Sequence, residues 1–200
     1  MNEEIQKLLE KIEKKGYKPS INLDRPIYLQ PEDRIKYRST RLIIILGQLN
    51  TSNGLSKKVI ACVDFLLRNT GFQKKFILEY FKDQQNLVSK LDKYNPQEVI
   101  FNDFNIIQYK SVPWDLRFND MFLYLKTRKL IKFEGDKDNL RFFLTEEGLI
   151  FFQEIKEYFP DEMNFLELFG KSIDQKKVVN IITDVIPNTY WRENEKLIYN

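Results

Sequence analysis

The sequence predicts a mainly α protein with a small β-hairpin: a winged-helix-like core with a helical insertion and terminal extensions. Three observations predict it. Apolar residues recur at helical spacing through most of the chain. One strand-turn-strand pattern interrupts them, preceded by a helix and followed by a Thr-capped one. The composition, 42% apolar and 30% charged with 16 Phe and 10 Tyr in 200 residues, supplies enough bulk for a sizeable core and argues against general disorder.

Taken in order, residues 2–15 place Ile5, Leu8, Leu9 and Ile12 on one helical face, with Glu3 and Glu4 at the start, Lys14 and Lys15 at the end, and Gly16 as the stop. Residues 17–33 carry Pro19, Pro26 and Pro31 and read as an extended docking arm. Ser39 or Thr40 is the expected cap of a helix through residues 42–49, and Thr51, Ser52, Asn53 and Gly54 form a turn. Ser56 then caps a second helix to about Arg68. Its stripe is Val59, Ile60, Val63, Leu66 and Leu67, leaving Lys57, Lys58, Asp64 and Arg68 to solvent.

Residues 71–110 read as an insertion, with helical signals at Phe76, Ile77, Tyr80 and Phe81 and again over 87–91, and an ambiguous stretch over 99–109. Pro113 and Trp114 are expected to open a helix to about Lys129 in which Trp114, Phe118, Met121, Phe122 and Leu125 share a face. Residues 130–133 and 141–144 are predicted strands around a polar turn, and Thr145 caps a further helix bearing Leu149, Phe152, Ile155 and Phe159. A last helix over 175–186 stops at Pro187, and a tail carries Tyr190, Trp191 and Tyr199. This divides the chain into an N-terminal helix and arm (1–36), a winged-helix-like core (37–160) and a C-terminal helical segment and tail (161–200).

Most enzymatic chemistry lacks its residues. There is no histidine, which removes the usual general base, nucleophile activator and zinc ligand. The seven glycines are dispersed, and the nearest approach to a phosphate-cradling loop, residues 54–58, lacks the pattern. Asp33, Asp64, Asp103, Asp115 and Asp120 form no compact motif and read as solvated or capping acids. No catalytic residue, metal ligand or cofactor is therefore expected. Cys62 is the lone cysteine and reads as a small buried hydrophobe. The absence of a signal-peptide pattern or a membrane-length apolar run predicts a cytoplasmic protein without a membrane anchor.

Binding is what remains. The formal charge is only +3, so any nucleic-acid contact must be local. Arg117, Arg128 and Lys129 on the helix before the hairpin, with Lys132, Lys137 and Arg141 on the hairpin, are the candidates for a helix in a groove and a wing on phosphate. Glu134, Asp136, Asp138 and Asp120 share those elements, and ordinary solvated charge competes with that reading. Lys36, Tyr37, Arg38 and Arg41 form a second candidate surface, where Arg forks would grip the carboxylate of a partner, against a plain basic helix start on the solvent side. Tyr190 and Trp191 suit docking, on this chain or on a partner.

The run Tyr37-Arg38-Ser39-Thr40-Arg41-Leu42-Ile43-Ile44-Ile45-Leu46, with Asp64-Phe65-Leu66-Leu67 in the next helix, resembles the middle component of bacterial ABC-three-component systems, including Lamassu-type defence systems. Residues 125–130 and the Leu144-Thr145-Glu146-Glu147-Gly148 step resemble the same family's winged-helix half, and together the matches span roughly 37–158. The resemblance implies a small non-enzymatic subunit. It would associate with an SMC-like coiled-coil ATPase and couple DNA sensing to an effector nuclease in anti-phage or anti-plasmid defence, reaching DNA through the complex. The alternative is a free-standing dimeric winged-helix transcriptional regulator; an enzyme using carboxylates and a metal ion ranks third.

Overall fold

A computed structural model describes residues 34–49, 52–84, 94–101, 103, 105–136, 139–170 and 173–192. The expected N-terminal helix and arm, the helix over 87–91, Lys137 and Tyr199 lie outside the described residues. Apart from Arg34, the described residues all belong to one compact unit, Ile35–Asn200.

Helix α1 (Ile35–Gln48) is apolar nearly all round over its second half, and Leu42, Ile43, Ile44, Ile45, Leu46 and Leu49 are buried. An all-round apolar helix belongs in a core, and α1 packs against α2, α4, α5 and α6 as defined below. It starts four residues before the expected cap: Ser39 and Thr40 lie inside it, and the Thr40 hydroxyl donates to the Lys36 carbonyl at 2.8 Å, the back-bond a helical threonine makes when it is not a cap.

A short strand, β1 (Leu55–Ser56), leads into α2 (Lys57–Arg68), where the Ser56 hydroxyl accepts from the Val59 N–H as expected of a cap. A 3-10 turn (Thr70–Phe72) and α3 (Gln73–Tyr80) follow. Phe72, Phe76, Ile77 and Ile106, within the expected insertion, are buried in the common core.

Strands β2 (Ile106–Tyr109) and β3 (Val112–Asp115) form an antiparallel hairpin. The expected helix start at Pro113 and Trp114 is therefore corrected to a strand. The cause is the turn: Lys110 and Ser111 have φ of 48° and 65°, the pair of positive values a tight two-residue hairpin needs, here without the Asn-Gly signature that announces it. Helix α4 (Phe118–Thr127) begins only afterwards and buries Phe118, Met121, Phe122 and Leu125.

Beyond α4, β4 (Ile131–Glu134) and β5 (Arg141–Leu144) make the expected hairpin, and β1 adds to β5 to give the order β1-β5-β4. Gly135 has φ of 100° in the turn, and a Cβ there would lie 2.6 Å from the Asn139 carbonyl oxygen. Helix α5 (Glu146–Ile155) is capped by Thr145, whose hydroxyl accepts from the Gly148 N–H at 3.0 Å and donates to the Lys129 carbonyl at 2.6 Å. Helices α6 (Pro160–Glu167) and α7 (Gln175–Val185) follow, and residues 188–192 are helical as well. The described residues thus form a mainly helical fold with small antiparallel sheets, and no helix among them is long and apolar enough to cross a membrane.

Gln175, at the start of α7, ties that helix to the sheet. Its side-chain carbonyl accepts from the Ser56 N–H at 3.0 Å and from Arg141 at 2.7 Å, and its amide donates to the Gly54 carbonyl at 2.7 Å. Arg141, expected on a phosphate-contacting wing, is half-buried and spends one end of its guanidinium here.

Candidate functional site

Two charged features stand out, one buried and one exposed. The buried one joins four arginines to three aspartates. Arg41 Nε donates to Asp64 at 2.8 Å, and Arg38 donates to Asp115 and lies 3.9 Å from Asp64. Arg68 bridges Asp115 at 3.1 Å and Asp103 at 2.6 Å. Arg117 reaches Asp103 at 2.8 Å and Asp115 at 3.3 Å. Helices α1 and α2, the segment around Asp103, the end of β3 and the start of α4 all meet here.

Each carboxylate is further constrained. The Asp103 carboxylate accepts from the backbone N–H and side-chain amide of Asn105, and Asp115 accepts from the Arg117 N–H. Burial pushes the Asp103 carboxyl up, but the Asn105 N–H and the Arg68 guanidinium more than offset it and hold the group below its usual range. For Arg68, burial works against the charge, while Asp64 and Asp103 favour it and leave its pKa raised.

This network corrects the expected docking surface. Arg38 and Arg41 are 1% and 2% exposed, and the carboxylates they contact are the chain's own, Asp115 and Asp64. Lys36 is exposed, and half-buried Tyr37 packs against Phe159 at 5.9 Å with Arg41 over its ring. Arg117 is also turned inward, with 30% of its side chain exposed, which withdraws it from the expected groove-facing set. Asp64, Asp103, Asp115 and Arg68, expected as solvated charge, are buried. The signal was present in part: Arg38, Arg41, Leu42, Ile45 and Leu49 recur at helical spacing, as do Ile60, Asp64 and Leu67, so these charges occupy apolar-stripe positions.

Tyr190 and Trp191 dock on their own chain. Tyr190 is 2% exposed, meets Phe65 and Phe72 edge-on at 5.4 and 5.7 Å, and donates its hydroxyl to the Phe101 carbonyl; Trp191 stacks on Phe65 at 6.3 Å. Cys62 is fully buried, and burial pushes its thiol far above the usual range.

The exposed feature lies where α4 runs into β4. Lys126, Arg128, Lys129 and Lys132 are all exposed. Three of them lie against rings: Lys126 4.1 Å from the Phe133 centroid, Arg128 5.3 Å from Tyr124, and Lys132 5.5 Å from Phe143. Leu123 is 64% exposed beside them and Phe133 37%. Lys132 also pairs with Glu134 at 2.9 Å.

Among the described residues, no group of three acids or cysteines is arranged to hold a metal ion. One groove runs between the end of α1 and helices α5 and α6 over Phe152 and Met163, and another passes Gln73, Tyr94 and Asp161. Neither is lined by a residue of the arginine-aspartate network. Comparison with protein-family models, with curated proteins and with solved structures returns no match.

Proposed function

We propose that this chain is a non-catalytic, winged-helix-like accessory subunit, the middle component of an SMC-like ATPase defence complex. In that role it couples DNA sensing by the ATPase to an effector nuclease in anti-phage or anti-plasmid immunity. The observation that carries the reading is that the residues behind the family resemblance also hold this fold together. Arg41, in the first quoted run, is bonded to Asp64, which opens the second. In the Leu144-Thr145-Glu146-Glu147-Gly148 step, Leu144 is buried, Thr145 caps α5, and a Cβ on Gly148 would lie 2.0 Å from the Leu130 carbonyl oxygen.

The topology supports a winged-helix-like module: α4 leads into the β4–β5 hairpin, and β1, between the first two helices, adds a third strand. A non-catalytic role is supported by the way the buried carboxylates are engaged. Asp64, Asp103 and Asp115 all face guanidinium groups at short range, which compensates the negative charge that a metal ion would otherwise meet. Among the described residues, the α4–β4 face is an exposed basic surface suited to macromolecular contact.

The test is affinity purification of the tagged chain from its native host, with mass spectrometry of what is recovered. A coiled-coil ATPase retained through high-salt washing is the expected result. Recovery of the chain alone as a symmetric dimer bound to its own promoter would overturn the reading in favour of the regulator, and metal-dependent hydrolysis by the isolated chain would overturn the non-catalytic assignment.

A further inference from the structure

We infer that the C-terminal end of α4 and the edge of β4 bind the phosphate backbone of duplex DNA without reading its sequence. This inference rests on the winged-helix-like reading and deepens it by naming the ligand of the α4–β4 face. Residues 126–132 hold four cations, Lys126, Arg128, Lys129 and Lys132, and no acid. Among the described residues no carboxylate pairs with Lys126, Arg128 or Lys129; their contacts are with rings or with solvent. A cation resting on an aromatic face keeps its full charge while the ring helps to position it.

The backbone adds a second observation. Lys129 has φ of 60°, the left-handed conformation where a helix normally ends in glycine and where a side chain costs roughly 1–2 kcal/mol. The strained residue carries its charge outward from a fixed corner, since the Leu130 N–H closes onto the Leu125 carbonyl at 3.0 Å and Thr145 holds the Lys129 carbonyl. The left-handed residue closes the C-terminal cap of α4 and thereby fixes where the Lys129 charge leaves the helix.

The same geometry argues against base reading. In helix-in-groove docking the N-terminal residues of the helix reach the bases. Here Arg117 is drawn into the buried network, and exposed Asp120 would meet the duplex as a like charge. The cations sit at the other end of α4 and continue onto the edge strand, a layout for phosphates. Acid bounds the patch on two sides, with Glu146 and Glu147 in the first turn of α5 and exposed Glu134 and Asp136 at the far end of β4, so contact is confined to the corner where α4 runs into β4.

The test is fluorescence anisotropy of a labelled random-sequence duplex titrated with the full chain at 50 to 200 mM salt. Four phosphate contacts predict a log-log salt slope of about −3.6, a weakening of about 150-fold across that range, from the rule of ~0.9 per phosphate. Changing the sequence of the duplex should alter affinity less than about threefold. The variant K126Q/R128Q/K129Q should reduce the slope to about −0.9, while K74Q/K176Q, which removes exposed cations elsewhere, should leave it unchanged; matching thermal melts establish that each folds. Equal binding by the parent and the patch variant overturns the inference. So does a parent that binds no DNA but loses its ATPase partner when the patch is neutralised, because the face is then a protein-docking surface. A chain that binds DNA through the patch yet recovers no ATPase sinks the accessory-subunit reading alone; a chain that recovers the ATPase and ignores DNA sinks this inference alone.

Discussion

Asp115→Ala should be among the most destabilising single substitutions in this chain. Asp115 is 2% exposed and accepts from Arg38, from Arg68 at 3.1 Å, and from both the Nε and the backbone N–H of Arg117 at 3.3 and 2.8 Å. Among the described residues, removing it leaves Asp64 and Asp103 as the aspartates of the network. Charge-assisted hydrogen bonds contribute about 1.5–3 kcal/mol each, though not additively, and deleting one partner of a buried ion pair typically costs about 3–5 kcal/mol because the remaining charge stays buried. For a domain of this size, about 4 kcal/mol lowers Tm by roughly 8–16 °C. The assay is urea unfolding followed by circular dichroism, with Glu79→Gln as the contrast. Glu79 pairs with Lys82 at 2.6 Å on the surface, where the side chains are 42% and 57% exposed, and solvent screens an exposed pair so that it contributes little. If Asp115→Ala costs no more than Glu79→Gln, the network is not a structural anchor and the reasoning fails.

Gly148→Ala should lose about 1–3 kcal/mol, because its Cβ would strike the Leu130 carbonyl oxygen at 2.0 Å; a melt within 1 °C of the parent would contradict the close approach of α5 to the residue that precedes β4. Thr145→Ala removes both the cap of α5 and the bond to Lys129, and a loss of about 1 kcal/mol is expected, readable in the same melts, with an unchanged midpoint counting against the cap. The Asp103 carboxyl sits below its usual range in the fold, so its contribution is present above the unfolded value of about 3.9 and disappears as pH falls through the folded one. Asp103→Asn should therefore be less stable than the parent at pH 7 and should lose less further stability between pH 4 and 2. An equally steep acid loss in both proteins would refute that assignment. Burial and the raised thiol pKa of Cys62 predict no labelling by a disulfide reagent at pH 8 until the chain unfolds; rapid native-state labelling would show that α2 opens locally.

Local rules made much of the helical framework legible. Ser56 and Thr145 were recognisable as caps because a cap is a contact over three residues, and the hairpin before Thr145 announced itself by a polar turn between two apolar runs. The β2–β3 hairpin escaped because its turn uses Lys110 and Ser111, residue types that carry no left-handed preference to read. The buried network escaped for a different reason. Apart from Arg117, which lies 2 and 14 residues from Asp115 and Asp103, its partners are 23 to 77 residues apart, and a charged side chain goes to solvent by default unless a partner of opposite charge arrives from elsewhere in the chain. Thus the sequence by itself determined where several main helices lie, the caps at Ser56 and Thr145 and the absence of histidine chemistry, all of which can be read from residue types and their near neighbours. Only the tertiary structure decided which arginines are anchors and which basic residues remain outside. A guanidinium can be buried only where the fold delivers carboxylates to it, and that withdrew Arg38, Arg41 and Arg117 from the surface while leaving Lys126, Arg128 and Lys129 exposed.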